Sequence, residues 1–169
     1  MNIIEKLGDQ SIILYQLFFL NNYLVFKNNY SLIMFITIFI NIFINLSTKH
    51  YLMNAMKSKN HRIPILGTFF RPKYKTMQDK LKSLTITDYG MPSGHSQIAS
   101  FIPAFYYFAY INNDFSIQKF TILFVISISI MYTRFTSKMH TIQQITIGSI
   151  FGIIIAYVIS KITFLLGLS

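Results

Sequence analysis

Long apolar runs, each carrying few or no charged residues, are the feature that most constrains this chain. They occupy residues 11–26, 30–47, 98–111, 120–132 and 145–168. Short apolar runs also occur as buried helices of soluble proteins. Here, though, 53% of the residues are hydrophobic and only 12% are charged, which leaves too little polar sequence to cover a core built from five such runs. The run at 30–47 is long enough to cross a hydrocarbon layer by itself. The expected fold is therefore an all-α integral membrane bundle of about five spans, forming a single domain over residues 1–169.

The first run follows Lys6, as in a signal peptide, but no small-residue cleavage site comes after it. A retained first span or a membrane hairpin is the better expectation. In the last run Lys161 lies near the far end, where its ammonium can snorkel to the interface. Gly148, Gly152 and Ala156 stand at four-residue spacing in that run. Small residues on one helix face let a neighbouring helix approach closely, so this stripe is read as packing.

Between the second and third runs the character changes. Residues 48–95 are polar and basic and form a large loop, within which residues 63–70 are expected to lie on the membrane surface. The chain holds 15 Lys and Arg against 5 Asp and Glu, and nine of those 15 fall between Lys49 and Lys82. A basic stretch suits nucleic acid, anionic headgroups or a phosphorylated substrate. Flanking spans exclude nucleic acid in favour of membrane lipids and phosphate. With no cysteine, a disulfide framework and a thiolate metal site are both excluded.

Three polar clusters fall on one side of the membrane, because the third and fourth spans go across and back. Arg71-Pro72 sits in the loop. Pro92-Ser93-Gly94-His95 precedes the third span. Arg134 closes the fourth span, and His140 opens the fifth after a five-residue connection. The second cluster reads as a helix entry with Ser93 as cap, whose free N–H groups and positive dipole end favour a bound phosphate. Gly94 lets the backbone approach that anion. Arg71 and Arg134 are permanently charged forks suited to phosphate oxygens. Histidine serves as nucleophile or proton donor near neutral pH, so one of the pair could attack phosphorus while the other protonates the leaving oxygen. His50 and His61 are read as solvated loop residues.

These clusters resemble the motifs of the type 2 phosphatidic-acid phosphatase superfamily: Lys-x6-Arg-Pro, Pro-Ser-Gly-His, and Ser-Arg-x5-His-x3-Asp. The likeness covers roughly residues 54–157. Tyr89-Gly90-Met91 before the second motif, Ser96-Gln97 after it, and His140-Thr141-Ile142-Gln143-Gln144 look most similar to the dolichyl diphosphatase branch. The resemblance implies that His140 attacks phosphorus to form a phosphohistidine and His95 protonates the leaving group. Arg71, Arg134, Ser93 and the Gly94 amide would hold the phosphate oxygens, with no metal or other cofactor. The substrate would be a polyprenyl diphosphate, dolichyl diphosphate first. A broader phosphatase of phosphatidic acid and similar monoesters, or a catalytically silent phospholipid-binding relative, are the competing expectations.

Three positions depart from the pattern. The family lysine falls at Pro64, so Lys57 becomes its substitute, which requires an insertion of seven residues before Arg71. Thr133 replaces the serine and keeps the hydroxyl. Gln144 stands where most members carry aspartate. Four residues beyond His140, it is expected to share a helix face with it and orient the imidazole through its amide oxygen. Membrane orientation draws two opposite expectations. Twelve of the 15 basic residues share the side of the clusters, which the positive-inside rule assigns to the cytoplasm. The resemblance implies the lumenal face of the endoplasmic reticulum, for a eukaryotic or virus-encoded chain.

Overall fold

The computed structural model describes residues 3–26, 29–57, 62–63, 67–68, 90–111 and 115–167. Along these, the chain forms helices α1 (Ile3–Phe26), α2 (Asn29–Lys57), α3 (Gly94–Tyr110), α4 (Ile117–Thr136) and α5 (Ile142–Leu165). Between α2 and α3 lie two two-residue strands, β1 (Arg62–Ile63) and β2 (Gly67–Thr68). They pair antiparallel, Arg62 opposite Thr68 and Ile63 opposite Gly67. That small ladder occupies part of the segment expected to lie on the membrane surface.

The all-helical membrane architecture is as the apolar runs require. By length and composition, three helices can each cross a membrane: Asn29–Leu52 within α2, Ile117–Thr136 and Ile142–Leu165. Large apolar side chains cover their outer faces, for example Phe43 at 71% and Phe164 at 69% exposure, as befits helices whose surroundings are lipid rather than water. α3 has 17 residues, a length of about 25 Å. It is the enclosed helix, buried without a break from Ser96 to Pro103. One boundary differs from expectation. The loop was expected to open at Thr48, but α2 runs on through Lys57. Polar residues at 48–50 mark departure from the apolar layer, whereas no Pro or Gly occurs between there and Lys57 to stop the helix.

The other helices align around α3. Tyr30 of α2 packs on Tyr110 with ring centroids 4.7 Å apart, and Asn45 reaches Pro92, so α2 is antiparallel to α3. α4 is antiparallel as well, with Phe120 near Tyr107 and Ser127 against Ala99. α5 runs parallel to α3. Gly148 lies against Ser93, Gly152 against Gln97, and Tyr157 against Phe108. The apolar core joins Phe19, Met34, Ile38, Ile98, Phe101, Ile102, Phe105 and Ala156. The starts of α3 and α5 therefore share one end of the bundle with the ends of α2 and α4.

Two local details hold this arrangement. A Cβ added to Gly148 would meet the Ser93 carbonyl oxygen, and one added to Gly152 would meet the Gln97 carbonyl oxygen. The small-residue stripe thus brings the α5 backbone directly onto α3. Pro103, inside α3, has no N–H to give to the Ala99 carbonyl one turn back. Ser127 of α4 fills that vacancy, its hydroxyl lying 2.5 Å from Ala99 O and 2.8 Å from Leu123 O. In an apolar layer an orphaned carbonyl has no water to turn to.

Gly148→Ala and Gly152→Ala are each expected to destabilise by about 1–3 kcal/mol, because backbone cannot yield as a side chain does. Ser127→Ala is expected to cost a similar amount, about 1–3 kcal/mol, by orphaning the Ala99 carbonyl. Thermal unfolding of the detergent-purified protein checks all three, and an unchanged midpoint in Gly148→Ala would contradict the close approach.

Candidate active site

At the end of the bundle where α3 and α5 begin, three local structures converge. The first is the α3 entry. Ser93 has an extended backbone, φ −71° and ψ 113°, and its hydroxyl accepts from Ser96 N at 3.4 Å and from Ser96 Oγ at 2.9 Å. Ser93 is thus the N-cap expected of it. Its own N–H donates to Gln144 O at 3.2 Å, which ties the entry of α3 to the first turn of α5. His95 follows in the first turn of α3, half-buried.

The second is the turn from α4 to α5. Lys138 adopts φ 56°, the left-handed conformation that ends many helices. Met139 N donates to Arg134 O at 3.1 Å, and Lys138 N donates to Phe135 O at 3.0 Å. These are the paired bonds of a Schellman motif. The same Arg134 carbonyl also accepts from His140 N at 3.2 Å. One turn therefore ties the backbones of the arginine and the histidine together. Both side chains are buried, Arg134 at 2% and His140 at 3% exposure. Thr133 turns its hydroxyl back onto its own helix, donating to Ile130 O at 2.7 Å.

The third is the α5 entry. Thr141 caps the helix, accepting from Gln144 N at 3.3 Å, while Gln144 Oε1 accepts from Thr141 N at 3.2 Å. This is a capping box. It places His140 one residue before the cap, outside the helix, so the shared helix face expected for His140 and Gln144 does not exist. They meet for a different reason. The box folds the amide back over the helix start, and Gln144 Oε1 comes to 3.3 Å from His140 Nδ1. Gly90 O lies closer to the same nitrogen, at 3.1 Å. A carbonyl oxygen only accepts, so Nδ1 is the nitrogen that carries the proton in the neutral ring. A Cβ on Gly90 would strike the Gln144 amide, so a larger residue there would have to push that amide away from His140.

Of the residues singled out in the sequence, Ser93, Gly94, His95, Arg134, His140 and Gln144 thus gather at one end of the bundle. Lys57 is the last residue of α2, with its side chain outside the described residues, and Arg71 lies outside them altogether. Gly94 has a packing reason of its own, since an added Cβ would stand 3.1 Å from Asn45 Oδ1. Among the described residues no three His, Cys, Asp or Glu side chains cluster as a metal site would require.

Sequence reading missed the groups that hold this end in place. The Gly90 carbonyl has no signature, because any residue carries one. Asn41, Asn45 and Gln97 did leave a signal: asparagines four residues apart in an apolar run, facing a glutamine just inside the next helix. Asn45 Nδ2 donates to Gln97 Oε1 at 2.8 Å and to Pro92 O at 3.3 Å, and Gln97 Nε2 donates to Asn41 Oδ1 at 3.2 Å. All three are buried, forming a polar seam between α2 and α3.

Residues 29–167, from the start of α2 almost to the end of the chain, match the PAP2 superfamily. The chain belongs to this family of membrane phosphatases, whose members hydrolyse lipid phosphates. No curated protein and no solved structure shows significant similarity to it.

Gln144→Leu removes one acceptor from His140 and half of the capping box while leaving the Gly90 carbonyl. It is expected to lower kcat about tenfold with little change in KM, as loss of an orienting partner does. Steady-state phosphate release read alongside thermal stability checks this; a full loss of stability with kcat per folded molecule unchanged would contradict it.

Proposed function

We propose that this chain hydrolyses a polyprenyl diphosphate, with dolichyl diphosphate the leading substrate, through a phosphohistidine at His140. The observation that carries the reading is the contact of His140 Nδ1 with the Gly90 carbonyl, which leaves Nε2 as the nucleophilic nitrogen. Nε2 attacks the terminal phosphorus, and the bond from phosphorus to the bridging oxygen breaks. His95 gives its proton to that oxygen, and dolichyl phosphate leaves. Water then attacks the phosphohistidine, surrendering a proton to His95, and inorganic phosphate departs with the lone pair restored to Nε2. Arg71, Arg134, Ser93 and the Gly94 amide hold the equatorial oxygens, where charge gathers in the transition state. Gln144 and the Gly90 carbonyl stabilise the imidazole as it gains positive character, in the place of a carboxylate. No metal enters these steps.

A lipid substrate is further supported by a groove of about 720 Å³ between α1 and α4. Leu14, Phe18, Ile122 and Ile126 line it, and it reaches Ile130 and Thr133, next in sequence to Arg134. An apolar chain lying there would have its headgroup at the bundle end that carries the histidines. An endoplasmic-reticulum membrane is the location this substrate would require.

The test is phosphate release by the detergent-purified protein from dolichyl diphosphate and phosphatidic acid in parallel, with EDTA present. Release is expected from the diphosphate, unaffected by EDTA and reduced to background in His140→Ala. Preference for phosphatidic acid would keep the histidine chemistry and change the substrate. Release by His140→Ala at the wild-type rate would refute the nucleophile, and no release from either lipid would point to a silent phospholipid-binding protein.

A further inference from the structure

We infer that α1 selects the substrate by its hydrocarbon chain: the groove between α1 and α4 seats the stretch of chain nearest the phosphate, and Leu14 and Ile126 gauge it. This rests on the lipid-phosphatase reading above and adds the element that decides which lipid is taken. The family match begins at residue 29, so α1 lies outside it, whereas Ser93, His95, Arg134, His140 and Gln144 lie within. Headgroup chemistry and one wall of the groove thus belong to different parts of the chain.

Two observations say what the groove holds. The first is its polarity. A smaller cleft joins Phe19 to Tyr30, Tyr110 and Leu123, at the end of the bundle remote from the histidines. Ser11, eight residues earlier on α1, therefore stands about 12 Å nearer the histidine end. The serine and threonine residues of the groove, Ser11, Ser129 and Thr133, fall towards that end. Apart from Tyr15, hydrocarbon side chains line the rest. This gradient matches an amphiphile whose head points at Arg134. The second observation is continuity with the site. Ile130 in the groove and Arg134 are both buried and stand one turn apart on the same face of α4. Length then sets what is read. From Thr133 to Ile122 the groove follows α4 for about 17 Å, against about 30 Å for the hydrocarbon layer. A long polyprenyl chain is read over its first part only, and the remainder runs on into lipid. Groove and bilayer are equally apolar, so the seat gains little hydrophobic energy. What it supplies is position, holding the phosphate at His140.

The test measures kcat/KM of the full-length protein in detergent on prenyl diphosphates of increasing chain length. Binding of the matching prenyl monophosphates, read as a rise in thermal midpoint, follows the chain without turnover. In the wild type both are expected to rise with chain length and level off once the chain fills the groove. Leu14→Trp narrows the groove from α1, and Ile126→Trp narrows it from α4. These positions are 51% and 41% exposed, so neither substitution overpacks the core. Each is expected to cut kcat/KM about tenfold on long chains, through lost positioning, and to leave the shortest chain unchanged. Phe43→Trp, on the outer face of α2, controls for added bulk and is expected to change nothing. A flat wild-type profile, a wild-type profile in both groove variants, or an equal shift in Phe43→Trp would overturn the inference. So would a lowered midpoint with the profile intact, the mark of a groove filled by a structural lipid. Chain-dependent monophosphate binding that Leu14→Trp abolishes, in a protein that releases no phosphate, would uphold it and instead sink the phosphatase reading.

Discussion

The backbone contact between α3 and α5 is the constraint on which the candidate site depends. Gly148 and Gly152 place α5 against the Ser93 and Gln97 carbonyls, with no side chain between. In lipid the gain from such contact is van der Waals packing, because hydrocarbon tails are as apolar as leucine and expel nothing. The consequence is local as well as global. Once the helices touch at Gly148, Ser93 N–H reaches the Gln144 carbonyl, and the Pro-Ser-Gly-His entry is locked to the turn that carries His140. Four residues along α5, a larger side chain would separate those entries.

Around that contact, His140 and the α2–α3 seam are held by backbone and by neutral amides. His140 meets a peptide carbonyl and a glutamine, both neutral. Asn41, Asn45 and Gln97 bridge α2 and α3 without a net charge. This has an electrostatic consequence. Amide partners fix geometry without adding a negative charge beside the histidine. A carboxylate beside the imidazole would hold an imidazolium more strongly. An amide trades some of that stabilisation for a more positive site.

The α4–α5 connection shows how a short turn can do the work of a long one. Its Schellman bonds and the added His140 N–H all converge on the carbonyls of the last helical turn, Arg134 above all. Arginine and histidine therefore move as one unit, so the six-residue step between them in sequence is also a fixed step in space. The interval between Arg134 and His140 is thereby given a mechanical reason that needs no substrate.

Much was determined by the sequence alone. Apolar runs dictate helices in lipid, because a backbone there must satisfy its own hydrogen bonds. Crossing and returning puts the Pro-Ser-Gly-His entry, Arg134 and His140 at one end, and the glycine stripe announces a close helix neighbour. Family membership follows from the same motifs. Other features were decided only by tertiary structure. Which helix is enclosed could not be read from hydropathy, since α3 and α5 are both apolar and only their neighbours differ. The extension of α2 beyond the apolar layer was hidden because a change in polarity resembles a helix end. Gln144 was rightly paired with His140, but through a capping box rather than a shared helix face. The Gly90 carbonyl and the groove between α1 and α4 lay beyond sequence altogether, because a carbonyl has no residue type and a groove belongs to the packing of several segments at once.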